Sequence, residues 1–298
     1  MKQKIKKLLI FIIIFLAALE VASYLDFAAT QIKQGDIPDT PYSYPPKPFE
    51  KIYEQVREWG FGKIYGENKK GKPLALFIAS DASGESLPEK EQLGYIISER
   101  FKIPVYNRAY GGWGMQNMYW QFDRDDFYTE VSEPQAVLLI YYDNLNYNTY
   151  VTGIYNTLKY DIKDGKFVRQ PNINEYLSYS YAVLKIRKIV GKMKAENTEK
   201  SLEMFNSYLL ACKEKSQKHW KNTKFIVVKN IDEKTKDNPK YWQLLKDEGI
   251  IIIELSDILG QEYMQDLKYK KSKDDNHPTS NLMEKIAASL DKYLEKGQ

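Results

Sequence analysis

Residues 74–86 read LALFIASDASGES. Leu74–Ala79 is a short uncharged run, closed on one side by Pro73 and on the other by the turn-rich SDASGES. Such a run, bounded by turn residues, reads as a strand buried on both faces. Three further runs read as buried strands as well: Ala136–Tyr142 (AVLLIYY), Lys224–Lys229 (KFIVVK) and Ile250–Leu255 (IIIIEL). Pro104–Tyr106 reads as a short strand running into the glycine-rich Gly111–Gly114. Glu89–Phe101 has helical spacing through Leu93, Ile96, Ile97 and Phe101. Amphipathic helices are expected over 175–194 and 199–220, and a closing helix over Asn281–Lys296. Residues 159–169, KYDIKDGKFVR, read as a hairpin around Asp164-Gly165. Apolar strands alternating with helices predict an α/β fold of three layers, a central parallel sheet with helices on both faces. Ligands of such folds bind beyond the carboxyl ends of the strands. The loops that matter are therefore those after Ala79, Tyr106, Tyr142 and Leu255.

Composition excludes several classes. The chain has 298 residues, 43% apolar and 28% charged, with 16 Gly and 12 Pro, which fits neither collagen-like nor disordered proteins. Cys212 stands alone, so neither an internal disulfide nor a cysteine zinc site can form within the chain. The formal charge of +4 is concentrated at the N-terminus, where Lys2, Lys4, Lys6 and Lys7 face one acid, Glu20, within the first 25 residues. The rest is balanced to within one charge, so bulk charge gives no support to a nucleic-acid-binding face.

After those lysines comes LLIFIIIFLAALEVASYL, residues 8–25. As a helix it would span about 27 Å, enough for a bilayer core. No convincing small-x-small cleavage site follows, so the expectation is an uncleaved signal-anchor, with a cleaved signal peptide and a buried core helix as the alternatives. Lysines before the span, and Asp26, Asp36 and Asp39 after it, place the N-terminus in the cytoplasm and the remainder outside. Residues 38–48, PDTPYSYPPKP, hold five prolines and read either as an extended spacer or as a strap packed on the domain.

The loops beyond the strands carry residue types suited to acyl chemistry. Ser80, or Ser83, follows the first strand, where a strand-to-helix turn can expose a hydroxyl. Asn107–Gln116 (NRAYGGWGMQ) follows the second, and glycine there lets a backbone N–H approach a ligand. GGWG does not match a dinucleotide fingerprint. Asn144, with Asn146 as competitor, follows the third strand. Before the last helix stands DDNHPT, in which Asp274 precedes His277 by three residues and could orient its ring. The other histidine, His219, reads as a solvated surface residue.

Together these blocks resemble the SGNH/GDSL hydrolase superfamily. ASDASGESLPEKEQLGYII resembles its serine block, VYNRAYGGWGMQ its glycine block, VLLIYYDNL its asparagine block, and DDNHPTSNLMEKIAASL its closing D-x-x-H block. The resemblance covers roughly residues 73–293, with an insertion-like region at 146–223. It implies a flavodoxin-like fold and a Ser80–His277–Asp274 triad. The Ser80 N–H, the Gly112 N–H and the Asn144 side chain would form the oxyanion hole. The chain departs from the pattern in two places: Ile78-Ala79 stand where the family has Gly-Asp, and Asp143-Asn144 invert the usual Asn-Asp. A second register sets Ser80-Asp81-Ala82 over Gly-Asp-Ser and would leave no nucleophile at that position.

Three segments are expected: a cytoplasmic tip and signal-anchor helix (1–25), a proline-rich linker and lead-in (26–72), and, from the resemblance, a hydrolase-like domain (73–298). The expected activity is that of a serine esterase or O-acyltransferase on ester groups, O-acetyl above all, of envelope carbohydrate. Neither a cofactor nor a metal is expected. The expected partners are the acylated carbohydrate, the membrane and a membrane-bound acyltransferase. Tyr110, Trp113, Tyr141, Tyr142, Tyr147 and Tyr150 flank the loops and offer flat faces to sugar rings, with Trp113 and Tyr142 the chosen substrate contacts. Core packing is the competing explanation for these aromatics. The competing functions are a lipase or thioesterase of the same fold and a non-catalytic glycan- or protein-binding module.

Overall fold

The computed structural model describes residues 10–11, 14–15, 17–22, 62–77, 87–109, 114–142, 160–163, 166–169, 198–230, 239–260, 263–272 and 277–297. The strands are β1 (Ile64–Tyr65), β2 (Leu74–Phe77), β3 (Val105–Arg108), β4 (Ala136–Tyr142), β5 (Tyr160–Lys163), β6 (Lys166–Arg169), β7 (Lys224–Asn230) and β8 (Ile251–Glu254). The helices are α1 (Leu93–Phe101), α2 (Met115–Phe122), α3 (Phe127–Glu130), α4 (Thr198–Gln217), α5 (Pro239–Asp247), α6 (Leu255–Leu259) and α7 (Ser280–Ser289).

The chain divides into two compact units. One takes in residues 1–56 and 152–195. Within it β5 and β6 pair antiparallel, with Lys163 opposite Lys166, which is the hairpin expected around Asp164-Gly165. Its described N-terminal residues are helical, and Ile10, Phe11, Ile14, Phe15 and Val21 are exposed. Among the described residues no helix is long and apolar enough to cross a membrane.

The other unit holds a six-stranded sheet of order β1-β3-β2-β4-β7-β8. Every pairing is parallel except that of β1 with β3. Among the five parallel strands, taken in chain order, the arrangement is 2-1-3-4-5, the doubly wound order. The chain moves outward from β2 to β3, then returns across β2 to β4, β7 and β8. Right-handed crossovers then put α1 on one face and α2, α4 and α5 on the other. The contacts agree: α4 packs against α2 and α5, and α7 packs against α1.

The core follows from the strand sequences. Leu74, Ala75, Leu76 and Phe77 are buried on both faces, as are Ala136–Tyr141. α1 turns Leu93, Ile96, Ile97 and Phe101 inward, the stripe its spacing predicted. α4 does the same with Leu202, Phe205, Leu209 and Cys212. Burial pushes the Cys212 thiol well above its ordinary range, so it behaves as a small apolar group. Under α2 and α3, Phe77 meets Phe122 and Phe127, and Phe122 also meets Trp220 and Phe225.

Several boundaries differ from the sequence reading. β3 runs to Arg108 rather than stopping at Tyr106, because Asn107 and Arg108 are buried and paired. Leu255 begins α6 instead of ending β8. The expected helix over 199–220 is α4, three residues shorter at its end, and the closing helix passes into a 3-10 turn at Leu290–Lys292. The expected helix over 175–194 lies outside the described residues. β1, α2, α3 and α5 have no counterpart in the sequence reading.

Candidate active site

Strand order fixes where a site can form. The reversal between β2 and β4 opens a crevice at the carboxyl edge of the sheet. The segments that follow Phe77 in β2, Arg108 in β3 and Tyr142 in β4 all leave from that edge. These are the segments that carry Ser80 and Ser83, Gly112 and Trp113, and Asn144 and Asn146. Those residues, together with Asp274 and the Tyr142 side chain, lie outside the described residues.

His277 is described, and its place follows from the last helix. Asp291, just past α7, receives the Arg100 guanidinium (Nε to Oδ1, 2.8 Å), and the Gly297 N–H donates to the Phe101 carbonyl at 2.8 Å. The Glu295 N–H donates to Gln135 Oε1 at 2.7 Å, immediately before β4. Lys224, at the start of β7, donates to the Tyr293 carbonyl at 2.9 Å. The chain end is thus tied to the amino edge of the sheet. α7 spans about 15 Å alongside α1, which carries its N-terminus, and His277 before it, to the carboxyl edge.

His277 is half-buried and held by its backbone. Its carbonyl accepts from the Lys271 N–H at 3.0 Å, Pro278 bridges to Lys270, and the Thr279 N–H donates to the Tyr269 carbonyl at 3.1 Å. Thr279 is the N-cap of α7, in extended conformation. Residues 269–271 and 277–279 therefore pair antiparallel just ahead of α7. His219, by contrast, is exposed and stacks on Tyr128 at 3.8 Å.

Two ion pairs that the sequence reading missed occupy the same edge. Arg108 Nη1 lies 3.0 Å from Glu130 Oε2, with the guanidinium over Phe127. Lys229 Nζ lies 3.0 Å from Glu254 Oε2 and 4.9 Å above the Trp242 ring. Both cations are buried, and each is compensated where it stands, so neither adds an unbalanced charge to the edge. A lysine ending FIVVK and a glutamate ending IIIIE were the available signals. Tyr141 decides between the two explanations left open for the aromatics. It is 1% exposed and packed edge-on against Phe205 and Trp242, so it belongs to the core and offers no face to a sugar.

The segment that carries Gly112 is anchored at both ends by asparagines. The Ala109 N–H donates to Asn107 Oδ1 at 3.1 Å, and the Gly114 N–H donates to Asn117 Oδ1 at 3.0 Å. Such local side-chain acceptors fix turns next to strand and helix ends. Among the described residues no cluster of three His, Cys, Asp or Glu side chains could hold a metal ion.

No family model matches the chain, and no curated protein matches it. Solved structures do. A member of the lipolytic protein G-D-S-L family from Veillonella parvula DSM 2008 is similar at 11% identity and TM-score 0.45, over 75% of this chain and 100% of that one. A lipase from a goat rumen metagenome is similar at 12% identity and TM-score 0.47, over 75% of this chain and 97% of that one. An acetyl xylan esterase from the rumen bacterium Butyrivibrio proteoclasticus is similar at 12% identity and TM-score 0.43, over 76% of this chain and 64% of that one.

Proposed function

We propose that the chain is a membrane-anchored serine hydrolase or O-acyltransferase of SGNH type, acting on ester groups of envelope carbohydrate. One observation carries the reading. β2, β3 and β4, the strands that precede Ser80, Gly112 and Asn144, end at the carboxyl edge of a doubly wound sheet, and the path of α7 from the amino edge supports bringing His277 to them. In this reading Ser80 Oγ attacks the ester carbonyl as its proton passes to His277, with Asp274 orienting the ring. The ester C–O bond breaks, and His277 returns the proton to the departing alkoxide. Water or a sugar hydroxyl then takes the acyl group from Ser80. The exposed Ile10, Phe11, Ile14, Phe15 and Val21 support an apolar anchor. With the cytoplasmic lysines they support a domain outside the cytoplasm, where acylated glycans and a membrane-bound acyltransferase would be met.

The test is fluorophosphonate labelling of the full chain in detergent, wild type against Ser80→Ala, Ser83→Ala and His277→Ala. Labelling is expected to vanish in the Ser80 and His277 variants and to persist in the Ser83 variant. Loss at Ser83 alone would move the nucleophile. Ile78-Ala79 in place of Gly-Asp favours a second reading, a non-catalytic glycan- or protein-binding module, toward which a folded but unlabelled wild type would shift the balance. Within the first reading, Asn144→Ala is expected to lower kcat on an aryl acetate about 10²–10³-fold without changing the melting temperature. Unchanged turnover would transfer the donor role to Asn146.

A further inference from the structure

The amino edge of the sheet, opposite the candidate site, concentrates positive charge. The segments that lead into β2, β3, β4 and β7 are residues 66–72, 99–102, 131–135 and 218–224, and residues 290–297 join them there. Together these segments hold ten basic side chains and five acids. Residues 26–298 as a whole hold 40 basic and 39 acidic side chains, so the remainder is net acidic and the excess is local to this edge. The lead-in to β8 does not share it, since Asp247 and Glu248 there outnumber Lys246.

Backbone contacts gather the lysines around residues 292–297. Gln135 Nε2 donates to the Lys72 carbonyl at 2.9 Å and to the Glu295 carbonyl at 3.3 Å. Gly297 lies so close to the Lys70 and Lys102 carbonyls that a Cβ on it would fall 2.1 and 2.2 Å from them. Lys224 Nζ donates to the Tyr293 carbonyl. Acids offset only part of this charge. Glu99 is shared between Lys69 and Lys102, and Asp291 is held by Arg100, the one guanidinium of the edge. Lys70, Lys72, Lys292 and Lys296 are exposed and, among the described residues, take part in no ion pair.

We propose that this lysine edge docks on an anionic phospholipid surface, with the carboxyl edge facing away from the bilayer. The inference rests on the anchor of the proposed function, which would hold the domain beside a membrane. Lysines near a bilayer are drawn to anionic headgroups within about a Debye length, roughly 8 Å at physiological ionic strength. A tether makes the contact intramolecular, so weak individual attractions suffice. Separate point charges on flexible stems suit a field of headgroups better than one planar anion, which a free guanidinium fork would grip. β4, at seven residues, spans about 23 Å between the two edges. The candidate site would therefore stand clear of the headgroups and open to envelope carbohydrate.

The test places the full chain in vesicles of phosphatidylcholine, alone or with about one third phosphatidylglycerol. A membrane-impermeant acetylating reagent is applied, and mass spectrometry reads each lysine. Lys70, Lys72, Lys221, Lys292 and Lys296 are expected to react about fivefold more slowly on the anionic vesicles, with Lys268 and Lys285 unchanged and the difference lost in about 0.5 M salt. When Lys70→Gln, Lys72→Gln, Lys292→Gln and Lys296→Gln are combined, the protection of Lys221 should disappear, and arginine at the same four positions should keep it. Equal labelling on both vesicles, or slowing that extends to Lys268 and Lys285, would overturn the docking. Equal protection by soluble polyphosphate without vesicles would overturn it in favour of an anionic polymer. A chain that fails to float with neutral vesicles would count against the anchor. Flotation with anionic vesicles, lost in the glutamine variant, would still decide the docking.

Discussion

His277→Ala is expected to lower kcat on an aryl acetate about 10⁶-fold, leaving only the residual rate that binding and an oxyanion hole supply. The size follows from the role proposed for His277 as the base that serves Ser80. With no base, the Ser80 proton has nowhere to go as the C–O bond forms, and the departing alkoxide receives none. Serine and histidine act as a unit, so Ser80→Ala and the double variant should fall to the same floor, and the two losses should not add. Folding should be spared. His277 holds its place through a backbone carbonyl bonded to Lys271, and Thr279, not His277, caps α7. Melting temperature and far-UV circular dichroism should therefore match wild type. A variant retaining a tenth or more of wild-type kcat would remove His277 from the reaction.

How much was legible beforehand varies with how local the cause is. β2, β4 and β7 stand out because a strand covered on both faces must be apolar throughout, and Leu74–Phe77, Ala136–Tyr141 and Phe225–Val228 are. α1 is equally plain, since its stripe is contained within its own nine residues. The end of β3 was not, because Asn107 and Arg108 look like loop residues until Glu130 and the backbone of Gly62 and Lys63, just before β1, are brought to them. β1 itself is too short to show any alternation. The carboxyl edge could be inferred from the expectation of a parallel sheet alone, and with it the loops worth inspecting. Tyr65 and Gln92 could not be joined from the sequence, because each lies in a different part of the chain. Tyr141 stayed open for a related reason: a tyrosine at a strand end suits a binding face and a core, and only Phe205 and Trp242 decide it.

The same non-local packing sets the largest stability effect. Phe122→Ala is expected to lower the unfolding free energy by about 3–5 kcal/mol, the usual range for deleting a buried aromatic ring. Phe122 is 1% exposed, with ring centroids of Phe127 at 5.1 Å, Phe77 at 5.2 Å, Trp220 at 5.7 Å and Phe225 at 6.1 Å. Those neighbours come from α3, from β2, from the residues before β7 and from β7 itself, so no single neighbour can close the void. Tyr128 donates its hydroxyl to the Phe122 carbonyl at 2.9 Å, which fixes the end of α2 against α3. Tyr128→Phe loses that bond and keeps the ring, so its expected cost is only about 0.5–1.5 kcal/mol. Urea midpoints at constant m compare the two. A Phe122→Ala cost no greater than that of Tyr128→Phe would mean that the cluster does not clamp α2 to the sheet. Because α2 begins at Gly114, where Asn117 anchors the end of the Gly112 segment, loosening this clamp should also slow turnover. Phe122→Leu should recover part of both losses by refilling most of the volume, whereas a hydrogen-bonding defect at the segment itself would leave turnover low after stability returned.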